Sequence, residues 1–396
     1  MLKFDNNGID YNLKPFGPNL PQATEDALEQ ESKEVSRWNF WYPPEDPEKP
    51  DLPYIIGFTV QIQRHVPHIT CRPHLSEEYL RTATQSEPVV ANPHGIEATP
   101  SADTARLIIT APIATGEAPG AKVVACTIIS DSGTGAGKRF RAAAKIYDPL
   151  YYSSISDIGK YPQDCVVDAV EHYNTETAAY QRLSDTGQTG CLAPEYHGSW
   201  EFSLPVTIKG KPCTRPIFLI LIEHLNGTSI RDTRRWNDVT RYTCKDSYHY
   251  PEGFRLEVLA RAMDGYVRQL GTGVRQRDFA ARNVMLVAND NPSAQTEEVC
   301  GLTMPRIVLI DYNIAETESE PLVEAEKTPS LPPNPAWYFS GTCLWEDFAG
   351  WAPSEWFKEE HGEEWLLKRF NTEGVRELYL PEPDDTRLSE PDPSDD

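Results

Sequence analysis

Residues 213–225 run Cys-Thr-Arg-Pro-Ile-Phe-Leu-Ile-Leu-Ile-Glu-His-Leu, and the six consecutive large apolar side chains from Ile217 to Ile222 constrain the fold more than any other stretch. A strand sends successive side chains to opposite faces, so an unbroken apolar run of this length has to be covered on both. Asn226-Gly227 directly after it reads as a turn.

Other segments surround this strand in an informative order. Residues 105–112 and 123–129 are apolar and β-branched, and the loop between them carries Gly116 and Gly120, which suits a hairpin. A third strand follows at 140–147, containing Arg-Ala-Ala-Ala-Lys-Ile-Tyr. Val170, Tyr173, Thr177, Tyr180 and Leu183 then recur at three- and four-residue spacing, predicting a helix over 166–183 that Gly187 stops. A second helix is expected over 251–270, with the stripe Phe254, Val258, Ala262, Tyr266 and Leu270 closed by Gly271 and Gly273.

The chain has 396 residues, with 37 Lys and Arg against 60 Asp and Glu, a net charge of −23. That balance excludes a broad nucleic-acid or anionic-membrane surface, so any anionic ligand must be met by a few placed cations. The eight cysteines form no Cys-x-x-Cys pair, no apolar segment reaches the length of a membrane span, and the start lacks a secretory layout. An intracellular location follows, cytoplasmic or nuclear. Residues 1–104 read as a largely irregular extension, with a short helix at 24–37 and a strand at 55–60; residues 381–396 read as a disordered acidic tail.

Two stretches carry the chemistry. Residues 271–286 read Gly-Thr-Gly-Val-Arg-Gln-Arg-Asp-Phe-Ala-Ala-Arg-Asn-Val-Met-Leu, with Asp278 five residues before Asn283; residues 306–313 read Arg-Ile-Val-Leu-Ile-Asp-Tyr-Asn, an apolar strand that delivers Asp311 at its end. The first closely resembles the catalytic loop of the eukaryotic-like protein kinase superfamily, and the second is similar to its Asp-Phe-Gly segment. The loop is closest to the tyrosine-kinase form. In its truncated layout, with a Gly-Trp-x-Pro segment near the end, the chain resembles kinase-like proteins of filamentous fungi, over roughly residues 105–370.

The resemblance implies a bilobal α+β protein kinase-like fold: the irregular extension at 1–104, an antiparallel β small lobe at 105–225, a reduced, mainly helical large lobe at 226–380, and the tail at 381–396. It implies ATP and Mg2+ as cofactors and phosphoryl transfer to a hydroxyl acceptor, on a protein or a small molecule, with neither nucleic acid nor membrane as partner. Asp278 would orient the acceptor, Arg282 offset developing charge, and Asn283 and Asp311 bind magnesium. Lys145 would contact the phosphates and pair with a glutamate on the next helix, Glu176 first and Glu171 second. Gly116 and Gly120 would cover the nucleotide, although Glu117 and Pro119 between them would hold the phosphates further off. Glu223, His224 and Leu225 would form the hinge that meets adenine.

Gln276 stands where the family has His, and Asn313 where it has Gly; Asn tolerates positive φ. Two other classes remain open, a non-catalytic pseudokinase scaffold and a small-molecule kinase of the aminoglycoside or choline type. The five tryptophans at 337, 345, 351, 356 and 365 are expected to pack the large lobe. His65, His68, Cys71 and His74 offer ligand types but no usual zinc spacing, and residues 132–138 fall short of a Walker A loop, with Ser132 for the first Gly and Arg139 after the Lys.

Overall fold

The computed structural model describes residues 41–65, 73–91, 102–116, 120–132, 137–155, 161–236, 245–288, 297–318, 331–341, 344–357 and 361–381. Six antiparallel strands close into a barrel: β1 (Thr59–Arg64), β2 (Thr104–Ala114), β3 (Lys122–Ser130), β4 (Arg139–Tyr147), β5 (Tyr196–Ile208) and β6 (Lys211–Glu223), in the order β1-β2-β3-β4-β6-β5. Closure comes from β1, which pairs with β2 through Thr59–Ile108 to Gln63–Thr104 and with β5 through Gln63–Glu201 and Arg64–Trp200. The β5–β6 hairpin turns at Lys209 and Gly210, both at positive φ (50° and 73°), as a two-residue turn matched to strand twist requires.

The apolar run of β6 is divided by parity. Ile217, Leu219 and Leu221 point into the barrel with Leu107, Val124 and Trp200, while Phe218, Ile220 and Ile222 join a second core outside it. β4 obeys the same rule: Ala142, Ala144 and Ile146 fill the barrel, and Ala143 and Tyr147 face outward. Lys145 therefore lies on the outer face. Against that face packs α1 (Cys165–Asp185), through Tyr173, Thr177 and Tyr180.

At the barrel wall Asp148 and Arg215 form a buried ion pair at 2.9 Å, with side chains 0% and 1% exposed. The Tyr54 hydroxyl donates to Asp148 at 2.6 Å and Arg215 also donates to the Pro205 carbonyl at 3.0 Å, so the charges are hydrogen-bonded as well as paired.

The first turn of α1 is acidic. Asp164 caps the helix, and its carboxylate also accepts the Leu75 amide at 2.9 Å. One turn on, burial, with Glu171 and Asp164 adding repulsion, pushes the Asp168 carboxyl up to about 6. The folded protein thus holds this proton where the unfolded chain, near 3.9, has released it. Acid favours folding between those values, and above about 6 the ionised group costs stability. Asp168→Asn is expected to stabilise the protein at pH 8 by on the order of 1 kcal/mol, discounted for the solvent that reaches the side chain, and to lose that advantage below about pH 4. Thermal melts of both proteins across that range would show it; a gain independent of pH would contradict it.

After the barrel, β7 (Gly227–Ser229), β8 (Val284–Val287) and β9 (Arg306–Leu309) form a three-stranded antiparallel sheet with β8 central. A Cβ on Gly227 would stand 2.4 Å from the Leu286 carbonyl oxygen, so the close approach of β7 to β8 requires glycine there. α2 (Glu252–Gly271) packs on β9, burying Phe254, Val258, Ala262 and Tyr266. Trp351 is fully buried, its indole N–H donating to the Arg255 carbonyl at 2.9 Å while the Arg255 guanidinium donates back to the Trp351 carbonyl. Trp345 and Trp356 are buried edge-to-face at 4.8 Å, and Trp337 and Trp365 pack on the same core.

The architecture corrects the expectation of a bilobal protein kinase-like fold with an antiparallel small lobe and a mainly helical large lobe. The sheet is a closed six-stranded barrel rather than the β layer of a small lobe confined to 105–225, because β1, from a stretch read as largely irregular, pairs with both edges. The remainder is poor in helix: beyond α2 the described residues hold, besides short 3-10 turns, two four-residue α-helices, one of them α3 (Leu344–Asp347), and the ten-residue α4 (His361–Phe370), with short strands among them. The expected strand at 55–60 also shifts, since Ile55 and Ile56 sit exposed before β1 begins at Thr59. The helix read at 24–37 and the tail from 382 lie outside the described residues.

Candidate functional site

Strand parity and helix phase together place the central group. Lys145, on the outer face of β4, meets Glu176 of α1 at 2.5 Å and Asp311, two residues past β9, at 2.6 Å. Glu176 is almost wholly buried and has two further donors, the Tyr147 hydroxyl at 2.6 Å and the Tyr312 amide at 3.3 Å. Glu171 is exposed on the same helix.

Charge is balanced closely in this group. Burial works against the Lys145 ammonium, yet Asp311 and Glu176 together raise its pKa above the usual lysine value. Burial likewise pushes the Asp311 carboxyl up, but Lys145 more than reverses this and holds it below the usual carboxylate value. At Glu176 burial is the larger influence and raises its carboxyl against the opposing pull of Lys145. Lys145 is therefore a fixed cation and Asp311 a fixed anion at neutral pH.

Asp278 and Asn283 form a second cluster beside the first. Asn283 Nδ2 donates to the Asp278 carboxylate at 2.7 Å and to its backbone carbonyl at 2.9 Å, and the Arg282 guanidinium donates to the other carboxylate oxygen. Because both Asn283 donors meet oxygens, its side-chain oxygen is the atom left to accept or ligate. The clusters are joined where the Ile310 amide donates to the Asn283 carbonyl at 3.0 Å. Gln276 donates to the Ile310 carbonyl at 2.5 Å. Asp311 is in the left-handed region at φ 69°, as is Arg277 at 67°. Positive φ thus falls on the acid itself rather than on Asn313, a conformation that strains a non-glycine residue and is held here by its surroundings.

A cavity of about 590 Å3 opens between the barrel and the three-stranded sheet. Gly116, Gly120, Lys145, Glu176, Glu223, Leu225, Arg282 and Asp311 all line it. Asp278 and Asn283 are not in its wall and connect to it through Arg282 and Ile310. Residues 117–119 of the glycine loop, like His68 and Cys71, lie outside the described residues; His65 is buried with Nδ1 3.2 Å from the Tyr173 hydroxyl. Glu223 is committed elsewhere: its carboxylate takes Arg306 and the Glu195 amide, and its own N–H donates to the Glu195 carbonyl at 2.8 Å. The wall position past the end of β6 is Leu225.

Several lining residues escaped the sequence. Lys122 starts β3 and donates to the Gly116 carbonyl at 2.8 Å; Ser229 and Asp232 face the cavity and bond each other at 2.7 Å. Tyr147 was readable, because a residue two beyond Lys145 on one strand shares its face.

Among the described residues no group of three or more His, Cys, Asp or Glu could hold a metal ion, and no helix is long and apolar enough to cross a membrane. Neither a model of a known protein family nor a curated protein matches the chain.

Proposed function

We propose that the cavity binds ATP with magnesium and that the protein transfers a phosphoryl group to a hydroxyl, on a protein acceptor. The observation that supports this most is the chain of contacts Glu176–Lys145–Asp311 in the cavity wall, tied through Ile310 to the Asp278–Asn283 pair. These five side chains come from distant parts of the chain, and phosphoryl transfer calls for a cation, metal-binding oxygens and a base of these kinds.

The donor set fits magnesium held in part by a ligand. Asp311 and the Asn283 side-chain oxygen are hard oxygen donors, and two protein ligands suit an ion that keeps waters and phosphate oxygens around it. When bound, the metal and nucleotide supply the phosphoryl group and neutralise its oxygens. Lys145, kept cationic and aimed by Glu176, binds anionic oxygen at the cavity wall. Asp278 orients the acceptor hydroxyl and takes its proton, which requires Arg282 to release one carboxylate oxygen. Arg282, freed, faces the developing negative charge from the cavity side.

A thermal shift tests the reading. ATP with magnesium at about a hundred times its dissociation constant should stabilise the protein by about 2.7 kcal/mol. The shift should vanish with a chelator and in Asp311→Asn. No shift at millimolar ATP, or one indifferent to magnesium, would remove the phosphotransferase reading and leave a scaffold. Transfer of label from ATP to protein rather than to metabolites would place the acceptor.

A further inference from the structure

After β7 the sign of the chain's charge reverses locally. Residues 231–236 read Arg-Asp-Thr-Arg-Arg-Trp and residues 245–250 Lys-Asp-Ser-Tyr-His-Tyr, four Lys and Arg against two acids, where the whole chain has 37 against 60.

Both segments are docked beside the loop that carries Asp278. The Arg231 amide donates to the Ala281 carbonyl at 3.0 Å, and Arg231 and Arg282 both line the main cavity. Arg235 and Trp236 pair antiparallel with Asp246 and Lys245. That hairpin rests on Gly350: the Ser247 amide donates to the Gly350 carbonyl at 2.7 Å, and a Cβ on Gly350 would stand 2.9 Å from the Lys245 carbonyl oxygen. Three residues before Gly350, the Asp347 carbonyl accepts the Ala281 amide at 3.4 Å.

The two acids of these segments are engaged locally. Asp246 is 7% exposed and accepts the Tyr248 amide at 3.0 Å. Asp232 accepts the Ser229 hydroxyl at 2.7 Å and meets Arg231 only at 3.7 Å, with both side chains more than half exposed, a weak pair. Arg235 and Lys245 are exposed and make no ion pair among the described residues. Lys245 Nζ stands 5.0 Å from the ring centre of Trp236, which is 63% exposed. Arg234 is half-buried, and its Nε has no hydrogen-bond partner among the described residues. A solvent-facing indole among uncommitted cations suits an anionic chain that also brings carbon surface. The net charge of −23 repels a long polyanion, whereas a short acidic segment meets these cations within a Debye length of about 8 Å.

We propose that Arg231, Arg234, Arg235, Lys245 and Trp236 form a docking surface for an acidic peptide segment, and that this segment brings the acceptor hydroxyl to Asp278. The acceptor role rests on the phosphotransfer proposed above; the docking does not. From Arg231, at the cavity wall, to Arg235 the chain covers at most about 14 Å, which about four residues of extended peptide also span. The docking acids therefore lie a few residues from the hydroxyl.

Fluorescence anisotropy of the full chain, without nucleotide or magnesium, tests the surface. The probe is a labelled peptide with serine and tyrosine among glutamates and aspartates, compared with one carrying glutamine and asparagine instead. The acidic peptide should bind about tenfold tighter or more, and lose affinity as salt rises. Arg235→Glu and Lys245→Glu should each weaken it about tenfold or more, the loss of one charge-assisted hydrogen bond, with thermal melts confirming that both variants fold. In label transfer from ATP, the same variants should raise KM for the acidic peptide more than they lower kcat. Equal affinity for the two peptides, or wild-type affinity in both variants, would overturn the surface. So would tighter binding of a single-stranded oligonucleotide, or peptide binding that appears only once the acidic residues 382–396 of the chain itself are removed. Transfer to both peptides with one KM would overturn the acceptor role alone. A protein that turns over no ATP would count against phosphotransfer, and the anisotropy, which needs neither metal nor nucleotide, would still decide the docking.

Discussion

ATP turnover by the Asp278→Ala protein is expected to fall by about a hundredfold or more, while magnesium-dependent nucleotide binding is nearly kept. Asp278 is absent from the cavity wall, so its removal leaves the Lys145–Asp311 contact in place for the nucleotide proposed to bind there. What is lost is the carboxylate that would orient the acceptor and take its proton, a contribution of about 10²–10⁴ in rate. The loop should survive, because Asn283 still donates to the backbone carbonyl at position 278 and the Asn283 carbonyl still accepts the Ile310 amide. The defect should therefore appear in kcat rather than in KM. Steady-state turnover of the two purified proteins decides the matter, and equal rates would take Asp278 out of the reaction.

Asp148→Ala should destabilise the fold severely. It leaves the Arg215 guanidinium, 1% exposed, without its counter-ion, and removes the acceptor of the Tyr54 hydroxyl. Breaking a buried pair from one side costs about 3–5 kcal/mol, against a total stability of about 5–15 kcal/mol for a domain. Denaturant unfolding should show a midpoint lowered accordingly, or a protein already largely unfolded. An unchanged midpoint would mean that Arg215 reaches water. This result is independent of any activity.

The elements legible in the sequence were those whose pattern is local. The helices expected at 166–183 and 251–270 are Cys165–Asp185 and Glu252–Gly271, and the strands at 105–112, 123–129 and 140–147 each lie within a longer observed strand. The apolar run of β6 announced coverage on both faces, and the barrel interior and α1 supply it. Illegible were the pairings that close the sheet. β1, Thr-Val-Gln-Ile-Gln-Arg, has only two apolar residues, and the more apolar Ile55-Ile56 beside it drew the strand too early. β5 carries Gly198 and Pro205 inside its run, both of which argue against a strand locally. Its place is set by the twelve residues of β6 paired with it.

The candidate site divides in the same way. Asp278, Asn283, Asp311, Lys145 and Glu176 were singled out by the resemblance of their surroundings to kinase motifs, and the structure brings Lys145, Glu176 and Asp311 into contact. Which groups are already spoken for could not be read: Glu223 is held by Arg306 and Glu195, and Asp278 by Arg282 and Asn283, through partners far away or rotamers the sequence does not specify. Nor could the left-handed turn at Asp311, since Asn313 was the residue inviting it.

The six-residue strand that seals the barrel also decides where the chain can be cut. A fragment starting at residue 105 would keep every side chain of the candidate site yet leave β2 and β5 with bare margins of unpaired amides and carbonyls, a template for another molecule's backbone. Removing that strand is thus expected to open an edge along which one copy could add to the next.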